Sequence, residues 1–248
     1  MKKQKDINLI IDMHCHILPK VDDGASSLEE SMEMLRLAAC EGIVKVIVTP
    51  HFKAGKHNAS PDGIGRRIQE LQQIVDEEHL GIEILPGNEI LYFNDLLEEL
   101  EAKHVLTLAG SNYVLVEFMP GDSYSRIRNA VDELVGSGYV PVIAHVERYE
   151  CLLKDSKLAD ELKMLGARIQ INASSIAGKH GWKIKRYVCQ LLKEQLVDYI
   201  GTDAHDMKSR KPEMSSCVAV LLKKKLESSY ITAITYDNAM KIIDKKDE

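Results

Sequence analysis

Seven short apolar runs, each four to six residues long and rich in Val and Ile, recur along the chain. They lie at residues 8–13, 44–49, 82–85, 113–116, 140–144, 168–171 and 197–200. Short runs of this composition are typical of strands that are buried on both faces of a parallel sheet. The pattern therefore predicts seven parallel strands.

Longer segments with an apolar residue every three or four positions separate several of these runs, and this spacing predicts amphipathic helices. The predicted helices span residues 28–41, 61–78, 124–135 and 157–165. Ser27 and Ser60 stand at the expected N-cap positions, and Gly42, Gly81 and Gly166 stand where helices should end. These start and stop signals agree with the hydrophobic pattern.

The starts of successive runs lie about 27–38 residues apart, close to the roughly 31 residues per unit of an eight-fold βα barrel. We therefore predict an α/β protein whose single domain, residues 1–248, is a parallel, TIM-barrel-like (βα) barrel. An open, doubly wound sheet is the alternative. It is disfavoured because no predicted strand is followed by a G-x-G-x-x-G or G-x-x-x-x-G-K-[ST] phosphate loop.

Composition excludes several classes of protein. Hydrophobic residues make up 45% of the 248 residues and charged residues 28%, as in soluble globular proteins. The net charge of -6 lacks the basic excess of a nucleic-acid-binding domain. The first apolar run is too short for a signal peptide or a membrane span. Five scattered cysteines without a C-x-x-C pair argue against disulfides and a thiolate zinc site, so we expect a soluble cytoplasmic protein.

Six of the seven predicted strands lead into side chains that can bind metal ions. Since parallel strands place their carboxyl ends on one face of a barrel, we expect these side chains to meet there. With one aspartate from the loop after the first strand, the candidate ligands are His14, His16, Asp23, His51, Glu89, Glu117, His145, Asp203 and His205. Nine ligands exceed the four to six bonds of one ion, which indicates two or three divalent ions with a bridging glutamate.

Each of these residues taken alone could be an ordinary buried or surface group. If four carboxylates and five imidazoles pack together without cations, their desolvation and their mutual repulsion cost much free energy. Bound metal ions are therefore the favoured explanation of the whole set. His14 and His16 alternate with Cys15, so both imidazoles can face the barrel mouth while the thiol points away. Cys15 is therefore expected to be structural rather than nucleophilic.

Two arginines lie close to the candidate ligands: Arg148 just past the fifth predicted strand and Arg210 in the loop after the seventh. The planar guanidinium group binds phosphate oxygens in pairs, so two such groups beside a metal centre indicate a substrate that carries phosphate. Phe52, Phe93 and Tyr149 also lie near the ends of strands. They could flank an aryl ring of the substrate or pack in the core.

Six segments carry these residues in order along the chain: DMHCHILPKVDDGA, VTPHF, PGNEI, LVEF, AHVER and GTDAHD. Together they resemble the motifs of the polymerase and histidinol phosphatase (PHP) family. Within this family the motifs are more similar to its branch of manganese-dependent protein-tyrosine phosphatases from Gram-positive capsule and exopolysaccharide loci. The resemblance covers nearly the whole chain, and it implies a distorted seven-stranded (βα) barrel of the PHP type with a trinuclear metal centre.

The resemblance also implies how the ligands are divided among the ions. One ion would be held by His14, His16, Glu89 and Asp203. A second would be held by Glu89, which it shares with the first, and by Glu117 and His145. The third would be held by Asp23, His51 and His205. Arg148 and Arg210 match the arginines with which the family binds phosphate, and the loop NASSIAGKHG, with Lys179 and His180, corresponds to a polar loop of the family.

The activity that the resemblance implies is hydrolysis of phosphotyrosine on the tyrosine-rich tail of a bacterial tyrosine kinase that regulates capsule or exopolysaccharide synthesis. A hydroxide bridging two ions would attack phosphorus in line with the tyrosine oxygen. Mn²⁺ is the implied cofactor, although mixed histidine and carboxylate sites also accept Fe, Zn and Co. Neither nucleic acid nor membrane insertion is expected, and related phosphatases form homo-oligomers.

Other functions stay open from the sequence alone. A phosphomonoesterase of the same family could act on a small metabolite such as histidinol phosphate or a nucleotide. Amide or ester hydrolases on similar barrels often carry a carbamylated lysine after the fourth strand, where this chain has Glu117. A regulatory module could bind its partner without turnover, and a phosphodiesterase could act on short oligomers.

Overall fold

The structure of the protein, a computed structural model, describes residues 9–224 and 226–244. Strands and helices alternate along most of it. The strands are β1 (Ile10–Cys15), β2 (Ile43–Val48), β3 (His51–Phe52), β4 (Glu83–Pro86), β5 (Glu89–Leu91), β6 (Tyr113–Glu117), β7 (Val140–Ile143), β8 (Arg168–Asn172) and β9 (Tyr199–Gly201). The helices are α1 (Leu28–Cys40), α2 (Pro61–Glu77), α3 (Leu96–Glu101), α4 (Tyr124–Gly136), α5 (Lys157–Met164), α6 (Ala173–Ala177), α7 (Trp182–Lys193), α8 (Ser215–Lys223), α9 (Ser228–Thr232) and α10 (Asn238–Asp244).

The strands form two parallel sheets that curl into a half-barrel. One sheet has the order β1-β2-β4 and the other the order β3-β5-β6-β7-β8-β9. In both sheets the strand order follows the chain order, without the reversal that defines a doubly wound sheet. A parallel bridge between Cys15 and Ala204 brings the end of β1 beside the segment that follows β9. The prediction of an α/β fold with parallel strands is confirmed.

Two of the seven predicted strands are interrupted. The run at 44–49 forms β2 and the chain then continues as β3, and the run at 82–85 forms β4 and is followed by β5. Asn88, which lies between β4 and β5, joins the two breaks. Its side chain donates to Pro50 O, between β2 and β3, at 2.8 Å and accepts from Leu106 N at 2.9 Å. Each interrupted segment therefore starts in the three-stranded sheet and ends in the six-stranded sheet, which the apolar pattern does not reveal.

The four predicted helices are confirmed as α1, α2, α4 and α5, each within one residue at either end. Ser27 and Ser60 cap α1 and α2, because their side chains accept hydrogen bonds from Glu30 N at 3.1 Å and Gly63 N at 3.2 Å. The remaining helices are absent from the prediction. Three of them, α3, α6 and α9, have only five or six residues, which is too short for a periodic signal.

Apolar side chains on the strands pack in two buried clusters. The larger cluster includes residues of the strands and of α1, α2, α4, α5 and α7. The smaller one joins residues of β1, β2, β6 and β7 to Ala239 and Ile242 of α10. None of the described helices has the length and apolar character needed to cross a bilayer. All five cysteines are free.

We expect Ser60→Ala to lower the free energy of unfolding by about 1 kcal/mol, because the N–H of Gly63 in the first turn of α2 loses its acceptor. Urea denaturation measures this change. Ser137→Ala is the matched control, since Ser137 is an exposed residue at the end of α4. Equal losses in the two variants would contradict the capping role of Ser60.

Candidate metal centre

The ends of the strands and the loops that follow them bring the nine predicted ligands to one place. Three groups of donor atoms are present, and within each group all donor atoms lie within 4.8 Å of one another. The groups are His16, Asp23, His51 and His205; His14, His16, Glu89 and Asp203; and His51, Glu89 and Glu117. His145 adjoins the last group, because its Nε2 lies 2.7 Å from Glu89 Oε1 and 3.8 Å from Glu117 Oε2.

In the second group, two imidazoles direct the same type of nitrogen toward one carboxylate oxygen. Glu89 Oε2 lies 3.2 Å from His14 Nε2 and 3.1 Å from His16 Nε2, and the two Nε2 atoms are 3.3 Å apart. The Nδ1 atom of His16 lies 2.7 Å from Asp22 Oδ2, and that of His14 lies 3.3 Å from Gln170 Oε1. A carboxylate or amide oxygen accepts a hydrogen bond from Nδ1–H, so in the neutral rings both Nε2 atoms carry lone pairs.

His51 lies between the first and third groups. Its Nδ1 is 3.1 Å from Glu89 Oε2 and 3.4 Å from Glu117 Oε1, while its Nε2 is 3.3 Å from Asp23 Oδ1. The nitrogens of this ring therefore face two sets of carboxylates. The family resemblance places His51 only with Asp23 and His205, whereas the geometry also brings it to Glu89 and Glu117.

Several donor atoms in the cluster are buried without a hydrogen-bond partner. Among the described residues these atoms include His51 Nδ1, Glu89 Oε2, Asp203 Oδ1 and His205 Nε2. A buried polar atom without a partner costs roughly 1–3 kcal/mol, and more when it is charged. Imidazole nitrogens and carboxylate oxygens are the donors that divalent transition metals accept. The residues present therefore fit a centre that holds more than one divalent cation.

Burial and neighbouring charges act in opposite directions on the protonation of these groups. Burial disfavours a charged His16, but its contacts with the carboxylates of Asp22 and Glu89 outweigh this effect and raise the pKa of His16 to about 10. Burial would raise the pKa of Glu89, yet the charge of the neighbouring His14 holds it well below its usual value. Burial and the charge on His16 lower the pKa of His205 to about 3. Glu89 is thus held in the ionised form, the form that binds metal.

Both predicted arginines contact Asp203. Arg148 Nη2 donates to Asp203 Oδ2, and Arg210 Nη2 lies 2.7 Å from Asp203 Oδ1. Their side chains are 37% and 36% exposed, whereas Asp203 is 2% exposed. A cavity of about 430 Å³ opens between these arginines and the ligands Glu89 and Glu117. The guanidinium groups therefore lie at the rim of the cluster.

The backbone around the ligands is strained and closely packed. His145 and Asp203 have positive φ angles of 30° and 54°, and residues other than Gly rarely adopt such angles. A Cβ atom on Gly24 would lie 2.0 Å from His16 O, and one on Gly201 would lie 2.6 Å from the Cβ of His14. The two glycines thus permit the close approach that places both histidines.

Sequence reasoning missed three polar residues that orient the ligands. Asp22 holds His16 and also accepts from His51 N at 2.9 Å. Gln170 accepts from His145 N at 2.6 Å, and Asn172 donates to Asp203 Oδ2 at 2.8 Å. Gln170 and Asn172 are buried polar residues in the run at 168–171 or directly after it. Polar residues in a buried strand are the sequence signal that could have identified Gln170 and Asn172. For Asp22 the signal is its position directly before the predicted ligand Asp23.

Cys15 and the three aromatic residues near the strand ends, which are not among the predicted ligands, have identifiable contacts. Cys15 is buried, and its thiol donates to Ile47 O at 3.7 Å, as expected of a structural cysteine. Tyr149 is fully buried, and its hydroxyl donates to Ala144 O at 2.8 Å. Tyr149 therefore packs in the core, and the alternative that it flanks a substrate ring is wrong. Phe52 and Phe93 stack with their ring centroids 6.1 Å apart.

Comparison with known proteins identifies the family. A family model described as capsular polysaccharide synthesis, CpsB/CapC, matches residues 10–244. The chain belongs to the CpsB/CapC family. One relative, the tyrosine-protein phosphatase YwqE of Bacillus subtilis (strain 168), is 34% identical over 87% of this chain and 85% of its own. Another, the tyrosine-protein phosphatase CpsB of Streptococcus pneumoniae, is 32% identical over 94% of this chain and 98% of its own.

Solved structures agree with this membership of the CpsB/CapC family. One is described as belonging to YwqE from Bacillus subtilis and CpsB from Streptococcus pneumoniae, "unique metal-dependent tyrosine phosphatases". It is 30% identical, with a TM-score of 0.88 over 96% of this chain and 95% of its own. A β-aspartyl dipeptidase from Fervidobacterium islandicum AW-1 is 12% identical, with a TM-score of 0.60 over 94% of this chain and 72% of its own. This second likeness concerns the fold alone. The resemblance to the capsule-locus tyrosine phosphatases is confirmed.

We expect Asp22→Asn to weaken divalent metal binding by roughly tenfold or more, because Asp22 orients the ring of His16 and fixes its tautomer. Competition between the protein and a fluorescent chelator for Mn²⁺ measures the affinity. Asp160→Asn, on the exposed surface of α5, is the matched control and should bind Mn²⁺ normally. Unchanged Mn²⁺ affinity in Asp22→Asn would remove this residue from the support of the centre.

Proposed function

We propose that this member of the CpsB/CapC family is a metal-dependent protein-tyrosine phosphatase. One observation carries the proposal: Nε2 of His14 and of His16 converge on Glu89 Oε2 beside two guanidinium groups. A site of this kind can hold divalent cations and a phosphate dianion together. The names of the relatives, tyrosine-protein phosphatases YwqE and CpsB, supply the phosphotyrosine that geometry alone does not specify.

The proposal includes a centre of two or three divalent ions, with Mn²⁺ as the ion that the family resemblance favours. The three donor groups supply the ligands, and His145 adds a further nitrogen beside Glu89 and Glu117. Bound cations would lower the pKa of a water molecule toward neutrality and stabilise the charge that develops on the phosphoryl group. Elemental analysis of the purified protein should therefore find two or three Mn²⁺ per chain.

Arg148 and Arg210 would bind the phosphate oxygens and hold the phosphoryl group in position. Asp203 fixes the two guanidinium groups, because its Oδ2 accepts a hydrogen bond from Arg148 and its Oδ1 forms an ion pair with Arg210. Their other N–H donors have no hydrogen bond to any described side chain, so they are available to a ligand in the cavity. A phenolate leaving group has a pKa near 10 and departs without a strong acid, so we assign no general acid.

For the partner, we propose the phosphorylated, tyrosine-rich tail of a bacterial tyrosine kinase that regulates capsule or exopolysaccharide synthesis. The family description, capsular polysaccharide synthesis, supports this setting. The open cavity beside Met119, which is 57% exposed, suits a phosphotyrosine presented on a peptide. Dephosphorylation of such a tail would take place in the cytoplasm, where the five free cysteines would stay reduced.

For the fold, we propose that the chain forms one domain, a distorted seven-stranded (βα) barrel of the PHP type. Counting β2 with β3 and β4 with β5 as interrupted single strands reduces the nine strands to seven. The bridge from Cys15 to Ala204 supports closure between the first and the last of them.

Hydrolysis of a phosphotyrosyl peptide tests the function. We expect turnover that is lost after chelation and restored by Mn²⁺. Glu89→Gln should lower kcat/KM by roughly a thousandfold, because Glu89 faces donors from two of the three groups. Glu29→Gln, on the exposed first turn of α1, is the matched control and should retain activity.

Two outcomes would contradict the proposal. Full activity of the chelated protein or of Glu89→Gln would exclude the cluster from the reaction. Faster turnover of histidinol phosphate or of a nucleotide than of phosphotyrosyl peptides would instead support the metabolite phosphatase left open by the sequence.

A further inference from the structure

A second cavity, of about 390 Å³, lies directly beside the metal centre. Arg148, Asp203 and Arg210 line both cavities and therefore form a wall between them. The rest of its lining includes Lys179, from the loop between α6 and α7, and Lys211, from the segment before α8. We call this space the lysine cavity.

The lysine cavity carries an excess of positive charge. Four lysine and arginine side chains line it, against the carboxylates of Asp203 and Glu213. Lys211 is half-buried, and its ammonium group has no hydrogen bond or ion pair with any residue that the structure describes. Of the four hydroxyls in the lining, those of Thr202 and Ser209 donate to Asp12 and Asp206, and that of Ser174 is bonded to His180. The hydroxyl of Ser216 has no hydrogen bond to any described side chain and adds a donor. This lining suits an anionic ligand.

The chemistry of the lining also narrows the class of ligand. No aromatic side chain of the described residues lines the cavity, apart from the imidazole of His180, which is bonded to Ser174 Oγ at 2.9 Å. A nucleobase would have little surface to stack on. Apart from Asp203, no residue of the three metal-ligand groups lines it either. These features favour a small anionic group without an aromatic base.

We propose that the lysine cavity binds a second anionic group of the substrate peptide, a phosphate or a carboxylate located close in sequence to the phosphotyrosine that is hydrolysed. This inference rests on the proposed phosphatase function. Successive residues of an extended peptide are about 3.3 Å apart, so a side chain within a few residues of the phosphotyrosine can reach past the shared wall. The cavity thus makes the enzyme selective for phosphotyrosines in acidic or multiply phosphorylated segments.

Glu213 sets the strength of this subsite. Lys179 Nζ lies 2.8 Å from Glu213 Oε2, and the two side chains are 47% and 33% exposed. The carboxylate of Glu213 neutralises Lys179, so an incoming anion must compete with it. Removing the charge of Glu213 should therefore strengthen the preference for acidic peptides, whereas removing the charge of Lys211 should weaken it. Two substitutions in one cavity are thus expected to act in opposite directions.

Three peptides of otherwise identical sequence test the proposal on the metal-loaded enzyme. Each has one phosphotyrosine, flanked by alanine, by glutamate, or by a phosphonate analogue of phosphotyrosine that cannot be hydrolysed. The measured quantity is the ratio of kcat/KM for each acidic peptide to that for the alanine peptide. We expect this ratio to be roughly ten for the unmodified enzyme, as two partly exposed ion pairs would give, and to fall as salt is added.

In Lys211→Gln the ratio should fall to about three or less, and in Glu213→Gln it should rise by about threefold. Lys208→Gln is the matched control, because Lys208 is an exposed lysine of the same loop and does not line the cavity. Its ratio should equal that of the unmodified enzyme. The glutamate and phosphonate peptides show whether a carboxylate or a phosphate is the better ligand.

A ratio near one in the unmodified enzyme, together with turnover of the alanine peptide, would overturn the inference and leave the phosphatase function intact. An equal fall of kcat/KM for all three peptides in Lys211→Gln would also overturn it, because the cavity would then belong to the site of the scissile phosphate. No metal-dependent turnover of any peptide would instead refute the phosphatase function.

Discussion

The structure depends on a convergence of lone pairs on one buried oxygen. Glu89 Oε2 lies 3.1–3.2 Å from a nitrogen of His14, of His16 and of His51, yet it makes no hydrogen bond. Asp22 accepts a hydrogen bond from Nδ1–H of His16, and Gln170 is placed to accept one from Nδ1–H of His14. Imidazoles and carboxylates buried this closely are costly unless a proton or a cation lies between them. The fold must therefore hold these groups together against the cost of their desolvation.

The two-sheet arrangement supplies that restraint. The breaks after β2 and β4 move the chain from one sheet to the other immediately before His51 and Glu89. Glu89 N donates to Pro50 O at 3.2 Å, so the two breaks are bonded to each other. His145 and Asp203 are held in strained backbone conformations, which persist only where the surrounding structure determines them. Rigid strand ends thus fix ligands that would separate in a flexible loop.

The sequence predicts which side chains gather in the cluster better than it predicts the residues that support them. The runs before His14, Glu117 and His145 lie on strands because apolar residues of such runs must be buried, and parallel strands bring the side chains that follow to one face. The continuations β3 and β5 were not predicted, because two or three residues carry no periodicity. Asp22 and Gln170 were missed for a different reason. Each of them supports a histidine through a hydrogen bond to one particular nitrogen. Which nitrogen lies within reach is decided by the folded arrangement of the chain and not by the local sequence pattern.

Asp203 links the two halves of the proposed chemistry. Its Oδ1 lies 3.6 Å from Nε2 of both His14 and His16 and 2.7 Å from Arg210 Nη2, while its Oδ2 accepts from Arg148. One buried carboxylate therefore contacts both the second donor group and the two arginines. The positions of the second donor group and of both guanidinium groups are therefore set by a single buried side chain.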